Sequence, residues 1–402
     1  MEQVGDMEVL RAPPVAILAA IAACGPLAVG IFVPALPAIA VDLRASTDTV
    51  QWTLSLYFVG VALGQLVYGP LSDMHGRRGV VLGGIGLYAL SCFGCYAAWS
   101  IQVLIFARFL QAIGGCVGMV ISRAVIQDVF PGERYAAALS TVIMVSAVAP
   151  MLAPSLGGYV IDWFGWRQIF LILGVGGCAL VFLCWVYLHE THHRRGTPGQ
   201  MAFGKAYLTV LGNPLFLLSA LSIAIMPSTY YAFLSGAPYL VISRLHWTAA
   251  NYGTAAMTAP AGYLLGNLLA SRISARMGNW RMVISGVSVS ALGIALALGL
   301  VMVAPLSAWS LFVPIVIVGL GQGVAMTSGI SRALSVLPAL AGSCAAVIGC
   351  SQMLAASLIS KITGFVINGS PIGMLLVMAG AHLLSCGLFL ADEKLRRGAA
   401  VK

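Results

Sequence analysis

Charged side chains are scarce in this sequence. Only 8% of its 402 residues are Asp, Glu, Lys or Arg, whereas 60% are hydrophobic, and the mean hydropathy is +0.97. Soluble domains carry about 25% charged residues, so this chain has too few polar side chains to cover a water-soluble surface. The composition therefore excludes a soluble globular protein and predicts helices that are solvated by lipid.

Acidic residues and clustered metal ligands are also rare. The chain has 12 Asp and Glu against 21 Lys and Arg, and no acid falls in the middle of an apolar run. Cys92 and Cys95 form a C-x-x-C pair without a second pair, and zinc sites need four clustered ligands. His192 and His193 stand in a polar connector, which we interpret as a solvated linker. We predict no enzyme, metal or cofactor, because the sequence offers no nucleophile–base pair and no ligand cluster.

Twelve apolar runs are long enough to cross a membrane, which takes about 20 residues per helix. They cover residues 14–40, 50–71, 79–98, 101–127, 135–161, 167–188, 211–237, 248–271, 281–302, 306–329, 340–366 and 370–391. We predict an all-α membrane protein with an N-terminal six-helix bundle at 1–188, a cytoplasmic linker at 189–210 and a C-terminal six-helix bundle at 211–402.

Basic residues are distributed unequally between the two sides of these spans. With the N-terminus inside, 15 Lys and Arg lie in inner segments and three in outer segments. The inner set is Arg11, Arg77, Arg78, Arg134, Arg194, Arg195, Lys205, Arg272, Arg276, Arg281, Arg332, Lys394, Arg396, Arg397 and Lys402, and the outer set is Arg44, Arg167 and Arg244. The positive-inside rule therefore predicts that both termini are cytoplasmic. This topology accounts for the net charge of +9 without a nucleic-acid partner.

The two predicted halves carry a weak internal repeat. Residues 64–84 align without a gap on residues 266–286, at an offset of 202, with six identical positions. The matching pairs are Gly64/Gly266, Leu66/Leu268, Ser72/Ser274, Gly76/Gly278, Val81/Val283 and Gly84/Gly286. The offset places the turn after span 2 on the turn after span 8, which favours two parallel six-helix halves, as in one large class of transporters.

A short polar segment, GPLSDMHGRRGV at residues 69–80, separates spans 2 and 3. Its glycines permit a tight turn and close helix approach in lipid. Asp73 can pair with Arg77, and Arg78 can face lipid phosphates. We interpret the segment as a latch that holds the halves together on the inner side in one transport state. The alternative is an ordinary basic turn that only fixes topology.

This segment resembles the loop 2–3 signature of the major facilitator superfamily, G-x-L-x-D-x-x-G-R-R. The matching residues are Gly69, Leu71, Asp73, Gly76, Arg77 and Arg78. In that family the acid and the first arginine form a network with an acid that ends span 4, and the resemblance assigns that place to Asp128. The resemblance implies two pseudo-symmetric bundles that transport by alternating access.

Two further motifs narrow the resemblance. ARFLQAIGGCVG in span 4 is similar to the motif R-x-x-Q-x-x-G, through Arg108, Gln111 and Gly114. APMLAPSLGG in span 5 resembles a motif associated with drug:proton antiporters, through Pro150, Pro154, Gly157 and Gly158. Proline and glycine soften a helix, so simple kinks are the alternative interpretation. VPALPAIA at 33–40 resembles the bicyclomycin/chloramphenicol-resistance group of these antiporters.

One residue departs from that group. Its members usually carry an Asp in span 1, four residues before the first proline of this motif, and this chain has Gly30 there. The usual proton carrier is therefore missing. Proton antiport then depends on Asp128, on His382 in span 12, or on an altered network around Arg108. Uniport or export driven by the substrate gradient are the alternatives.

The remaining polar residues within spans suggest a central cavity. A charge at the bilayer centre costs about 3 kcal/mol on insertion scales, so Arg108 and Lys361 are expected to face the interior, although Lys361 can also snorkel. Further expected lining residues are Tyr57, Tyr230, Tyr231, Gln111 and Gln352. A cavity without a carboxylate repels lipophilic cations and suits neutral or weakly anionic molecules.

We therefore expect a monomeric multidrug or antibiotic efflux transporter in the bacterial inner membrane. Its partners would be a small-molecule substrate, protons and membrane lipid. Export of a metabolite, such as a sugar or amino-acid derivative, is the first alternative, because the same scaffold serves both functions. A membrane sensor that binds a ligand without transporting it is a more distant alternative.

Overall fold

The computed structural model describes residues 12–130, 132–191, 200–367 and 370–400, and every regular element in these ranges is helical. Twelve helices follow the predicted spans: α1 (Val15–Asp42), α2 (Thr47–His75), α3 (Arg77–Tyr96), α4 (Ile101–Val129), α5 (Glu133–Phe164), α6 (Arg167–Tyr187), α7 (Pro214–Arg244), α8 (249–277), α9 (279–303), α10 (Ala308–Leu334), α11 (Pro338–Val366) and α12 (Pro371–Ala400). A linker helix occupies Gln200–Leu211. The all-α fold is thus confirmed. Arg11, His192, His193, Arg194, Arg195 and Lys402 lie outside the described residues.

The described residues contain eleven helices that are long and apolar enough to cross a membrane. One of them, Ala249–Val303, has 55 residues and is non-helical at Gly278. A length of about 1.5 Å per residue lets it cross a 30 Å hydrocarbon core twice, with a turn at this glycine. These eleven helices therefore make twelve crossings, α1 to α12, as the sequence predicts.

Two ends of the helical bundle are distinguished by charge. The basic face carries the turns after α2 and α8 and the end of α12, and the far face lies opposite. Helices α2, α4, α8 and α10 begin at the far face, each after a Ser or Thr whose hydroxyl accepts a hydrogen bond from a first-turn backbone N–H. These caps satisfy N–H groups that have no partner within the helix.

Small residues set the close helix contacts within each half. A β-carbon built on Gly118 of α4 would lie 2.0 Å from the Ile21 carbonyl oxygen of α1. In the second half, a β-carbon on Gly266 of α8 would lie 2.1 Å from the Leu320 carbonyl oxygen of α10. Lipid gives no hydrophobic drive for helix association, so close backbone approach at such positions supplies the packing.

The turns after α2 and α8 share one backbone conformation. Gly76 has φ 90° and ψ 154°, and Gly278 has φ 74° and ψ 158°. Side chains are strained in this region of backbone space, which glycine alone adopts readily. The two residues are 202 positions apart, so the internal repeat has a structural counterpart at its turns.

Replacing either turn glycine should destabilise the protein. Gly76→Ala or Gly278→Ala forces a β-carbon into the strained region, at a cost of about 1–3 kcal/mol. The apparent melting temperature of the purified protein should fall. Gly79→Ala is the matched control, because Gly79 is helical and a β-carbon there meets nothing within 4 Å. Equal melting temperatures for Gly76→Ala and Gly79→Ala would contradict the backbone explanation.

Candidate transport cavity

Two cavities lie between the first six and the last six helices. One has a volume of about 320 Å³ and is lined from α5, α7, α8, α10 and α11. The other, of about 120 Å³, extends to α1, α2 and α4. Both are lined by Pro150, Tyr230 and Tyr231, so we treat them as one central cavity. None of the described residues that line it is charged. Its polar side chains are Ser146, Tyr57, Tyr230, Tyr231, Tyr263, Gln322 and Gln352.

The tyrosines reach the cavity because α7 is broken at Met226 and Pro227. The backbone N–H of Tyr230 donates to the Pro227 carbonyl at 3.0 Å, which leaves the Met226 carbonyl without its usual partner four residues on. Gln322 of α10 donates a side-chain N–H to that carbonyl at 3.1 Å, and the Thr229 hydroxyl donates to it at 3.0 Å. A buried carbonyl in lipid must find such a partner, so Gln322 supports the break that carries the tyrosine pair.

Helix α5 packs closely against both halves through its Pro and Gly residues. A β-carbon on Gly157 would lie 2.1 Å from the Ile31 carbonyl oxygen of α1. On Gly158 it would lie 2.2 Å from the Ala249 carbonyl oxygen of α8, in the other half. Pro150 lines the cavity, while the Pro154 carbonyl oxygen lies against Gly253 of α8. The span 5 motif thus joins the halves at the far face.

Gly30 is held against the same helix. A β-carbon built on Gly30 would lie 2.6 Å from the Ala153 β-carbon and 3.4 Å from the Pro150 carbonyl oxygen. Contacts below 3.0 Å require the neighbour to shift. A side chain at this position, where the resemblance implies an acid, would therefore force α1 and α5 to move apart.

Arg108 lies behind the cavity wall. Its side chain is fully buried and lines neither cavity. The guanidinium carbon lies 4.2 Å from the Phe32 ring centroid and 4.1 Å from that of Tyr57. Nη1 donates to Gln111 Oε1 at 2.6 Å and to the Ala28 carbonyl at 3.3 Å. Desolvated cation–π contacts are worth about 2 kcal/mol each, so the rings and the two acceptors offset part of the cost of burial.

The other predicted polar candidates also lie away from the cavity surface. Gln111 is buried beside Arg108 and donates to the Cys92 sulfur at 2.9 Å. Lys361 forms an ion pair with Asp48 and lies 4.7 Å from the Trp52 ring centroid, at the far face. His382 is buried in α12 and lines neither cavity. Of the predicted lining residues, only Tyr57, Tyr230, Tyr231 and Gln352 contribute to the wall.

The predicted latch residues meet at the basic face. Arg77 Nη1 lies 2.5 Å from Asp73 Oδ1, and Arg77 Nε lies 3.2 Å from Asp128 Oδ2. Arg77 is buried, so these two carboxylates are needed to compensate its positive charge. Arg78 donates to the Trp185 carbonyl at 2.8 Å. Gly69 is half-buried, and a β-carbon there would meet nothing within 4 Å, so it makes no close helix contact. All of these contacts among the described residues join elements of the first half, so the network does not hold the two halves together in this conformation, whereas the sequence predicts that it does so in one transport state.

A second ion-pair network, which the sequence motifs did not predict, lies at the basic face. Arg332 at the end of α10 donates to Asp392 and Glu393 of α12, both at 2.9 Å. Arg396 lies 3.0 Å from Asp392, which is itself only 1% exposed. This network fixes the ends of α10 and α12 to one another in the second half.

The internal repeat is a signal that could have revealed this network. Asp392 is 202 residues after Glu190, whose carboxylate accepts a hydrogen bond from the Arg77 backbone N–H at 2.8 Å. The same offset carries Arg77 onto Asn279, so the second half lacks the arginine of the turn. Arg332 at the end of α10 supplies the cation instead. The two halves therefore use related positions with different charges.

Polar contacts close the far face between the halves. Gln51 of α2 donates to the Ser235 carbonyl of α7 at 2.7 Å, and Ser55 donates to the Ser357 carbonyl of α11 at 3.1 Å. Asp162, at the end of α5, accepts from the backbone N–H groups of Ala249 and Ala250 at 3.1 and 2.9 Å. A carboxylate at a helix N-terminus is favourable. Among the described residues, every side-chain hydrogen bond between the halves lies toward the far face.

Comparison with known proteins identifies the family. The model described as the Major Facilitator Superfamily matches residues 18–360. The chain belongs to the major facilitator superfamily. Members of this superfamily are membrane transporters, and the twelve-helix architecture and the motif between α2 and α3 agree with membership.

Superfamily relatives include proteins named for drug resistance. The chain is 30% identical to an uncharacterized MFS-type transporter of Bacillus subtilis, over 87% of each chain. It is 28% identical to a chloramphenicol resistance protein of Pseudomonas aeruginosa, over 81% of this chain and 77% of that protein. It is 27% identical to multidrug resistance protein D of Escherichia coli, over 96% and 97%. These relatives confirm the predicted resemblance to the bicyclomycin/chloramphenicol-resistance group.

A solved structure supports the superfamily fold. The chain is similar to a bacterial homologue of the human lysosomal transporter Spinster, with a TM-score of 0.76. Sequence identity is 16%, and the alignment covers 96% of this chain and 99% of that one.

Enlarging Gly158 should prevent closure of the far face. In Gly158→Ala the new β-carbon meets the Ala249 carbonyl oxygen, so α5 and α8 must separate. Ser360 is fully buried beside Gln51 and Ser235. A cysteine at that position (Ser360→Cys) should therefore react faster with a hydrophilic thiol reagent when Gly158→Ala is also present. Gly176→Ala is the control, since a β-carbon there meets nothing within 4 Å. Equal labelling rates in both backgrounds would argue against this contact as a closure point.

Proposed function

We propose that this chain exports small neutral drug-like compounds, antibiotics among them, by alternating access with proton antiport. The observation that carries the proposal is a cavity between the halves whose described lining is mostly aromatic, methionine, proline and aliphatic residues with one serine and two glutamines, and without a charge. Such a wall suits uncharged aromatic compounds, because it offers stacking surfaces and few oriented polar groups. Arg108 and Lys361 lie outside this wall, so neutral substrates are favoured over the weakly anionic ones also expected from sequence.

The proposed orientation follows from charge. Basic residues concentrate at one end of the bundle, which the positive-inside rule places in the cytoplasm of a bacterial cell, together with both termini. The contacts of the far face then close the outward route, and substrate enters from the cytoplasm. We propose that the protein acts as a monomer in the plasma membrane, with Arg78 near the lipid headgroups.

Proton antiport requires a group that changes protonation during the cycle. The described acids lie at the two faces and not in the cavity, and Gly30 leaves no room for an acid in α1. Asp128 in the latch and His382 in α12 are the groups that we propose for this role. In proteoliposomes, substrate addition should drive proton movement. Of the two variants Asp128→Asn and His382→Gln, only the one that removes the true carrier should abolish that movement while substrate binding persists. If substrate drives no proton movement in the native protein or in either variant, antiport is refuted.

The latch should be needed for turnover. Asp73→Asn leaves buried Arg77 with one carboxylate instead of two, so we expect export to slow by about tenfold, equivalent to about 1.4 kcal/mol. Asp42→Asn is the matched control, because Asp42 forms a more exposed ion pair with Arg167 at the far face, with side-chain exposures of 44% and 37%. Exposed pairs contribute little. Equal export rates for the two variants would refute the latch.

Drug susceptibility tests the proposed substrate class. An efflux-deficient bacterium that expresses this chain should tolerate neutral compounds such as chloramphenicol and bicyclomycin better than the empty-vector strain. It should gain no tolerance to lipophilic cations of similar size. Protection against cations would refute the neutral class. No protection, with the protein present in the membrane, would favour metabolite export, and ligand binding without flux in liposomes would favour a sensor.

A further inference from the structure

Tyr57 contacts both the central cavity and the buried arginine. Tyr57 lines the smaller cavity together with Gly25, Gly30 and Tyr231. The Arg108 guanidinium carbon lies 4.1 Å from the centroid of its ring. Arg108 lines no part of the cavity. The Tyr57 side chain therefore borders both the cavity and the guanidinium.

The ring is held in this position at both ends. Its hydroxyl donates to the Gly25 carbonyl of α1 at 2.9 Å, and Phe58 packs against it edge to face at 6.3 Å. Tyr57 has no solvent-exposed surface. The hydrogen bond and the close packing therefore hold the ring over the guanidinium in this structure.

The covered guanidinium retains two free donors. Nη1 is satisfied by Gln111 and Ala28, whereas Nε and Nη2 have no hydrogen-bond partner among the described residues. Nε and Nη2 form the edge of an arginine that binds a carboxylate through two parallel hydrogen bonds. The side chain is fully buried, and the described residues place no carboxylate against it.

We propose that Tyr57 is a specificity-determining residue that separates the Arg108 charge from the central cavity and thereby excludes anionic ligands. This inference rests on the proposed function and names the charge class of its substrates. With the ring in place, an uncharged aromatic side chain separates a ligand in the cavity from the guanidinium. Without it, the cavity extends to a cation that has two donors without partners among the described residues, which favours carboxylates.

Ligand-induced thermal stabilisation of the purified protein tests this proposal directly. Benzoate and benzamide have nearly the same size and shape and differ in charge, so the ratio of their half-maximal stabilising concentrations isolates the charge preference. In Tyr57→Ala this ratio should shift toward benzoate by at least about tenfold relative to the native protein. Tyr57→Phe keeps the ring and loses only the hydroxyl, so its ratio should stay near the native one. Adding Arg108→Gln to Tyr57→Ala should remove the shift.

Three outcomes would overturn the proposal. They are an unchanged ratio in a folded Tyr57→Ala protein, a shift that persists with Arg108→Gln, and a shift of equal size in Tyr57→Phe. If Tyr57→Ala does not fold, Tyr57→Leu removes the ring at smaller cost in volume and is read in the same way. The readout needs no export, so failure of the drug-susceptibility test would refute the proposed function while the benzoate ratio still decides the role of Tyr57.

Discussion

The absence of water from the bilayer core is the constraint on which this structure depends. Each backbone polar group in hydrocarbon needs a partner within the protein, so the chain crosses the membrane as helices and interrupts them only where another side chain supplies the missing bond. The break in α7 shows this constraint, because Gln322 bonds the carbonyl that the break releases. The same constraint explains why Arg108 is enclosed by two rings, an amide and a carbonyl instead of facing lipid.

The two faces of the bundle hold different kinds of contact. At the far face, Gly158 and Gly253 let α5 and α8 of opposite halves touch, and Asp162 accepts from the first N–H groups of α8. At the basic face, the ion pairs of Arg77 and Arg332 each stay within one half. The two halves are therefore joined at one end and braced separately at the other, which is the arrangement that a rocking motion between rigid halves needs.

Helix positions were predictable from the sequence because burial in lipid imposes long apolar runs, and Gly76 and Gly278 marked equivalent turns. The latch pairing of Asp73 and Arg77 was also predictable, since they are four positions apart in the sequence. The positions of Arg108 and Lys361 were not predictable. Periodicity places a residue on a helix face but does not say whether an aromatic ring covers it or an acid from the first turn of another helix reaches it. Arg332 was counted only as a topological charge, because its partners lie some 60 residues away on α12.

The lack of a carboxylate in the described cavity lining and the enclosure of Arg108 balance one another electrostatically. The resemblance to the bicyclomycin/chloramphenicol-resistance group implies an acid at the position of Gly30, whereas in this chain a β-carbon there would lie 2.6 Å from the Ala153 β-carbon. Losing that acid while leaving Arg108 open would give the cavity an unbalanced positive charge in a medium of low dielectric constant, where charges act strongly. Covering the guanidinium with Tyr57 and Phe32 removes the arginine from the cavity surface as well. The described cavity wall thus carries neither an acid nor a base, and its lining is uncharged. Any proton-coupling group must therefore lie in another part of the molecule.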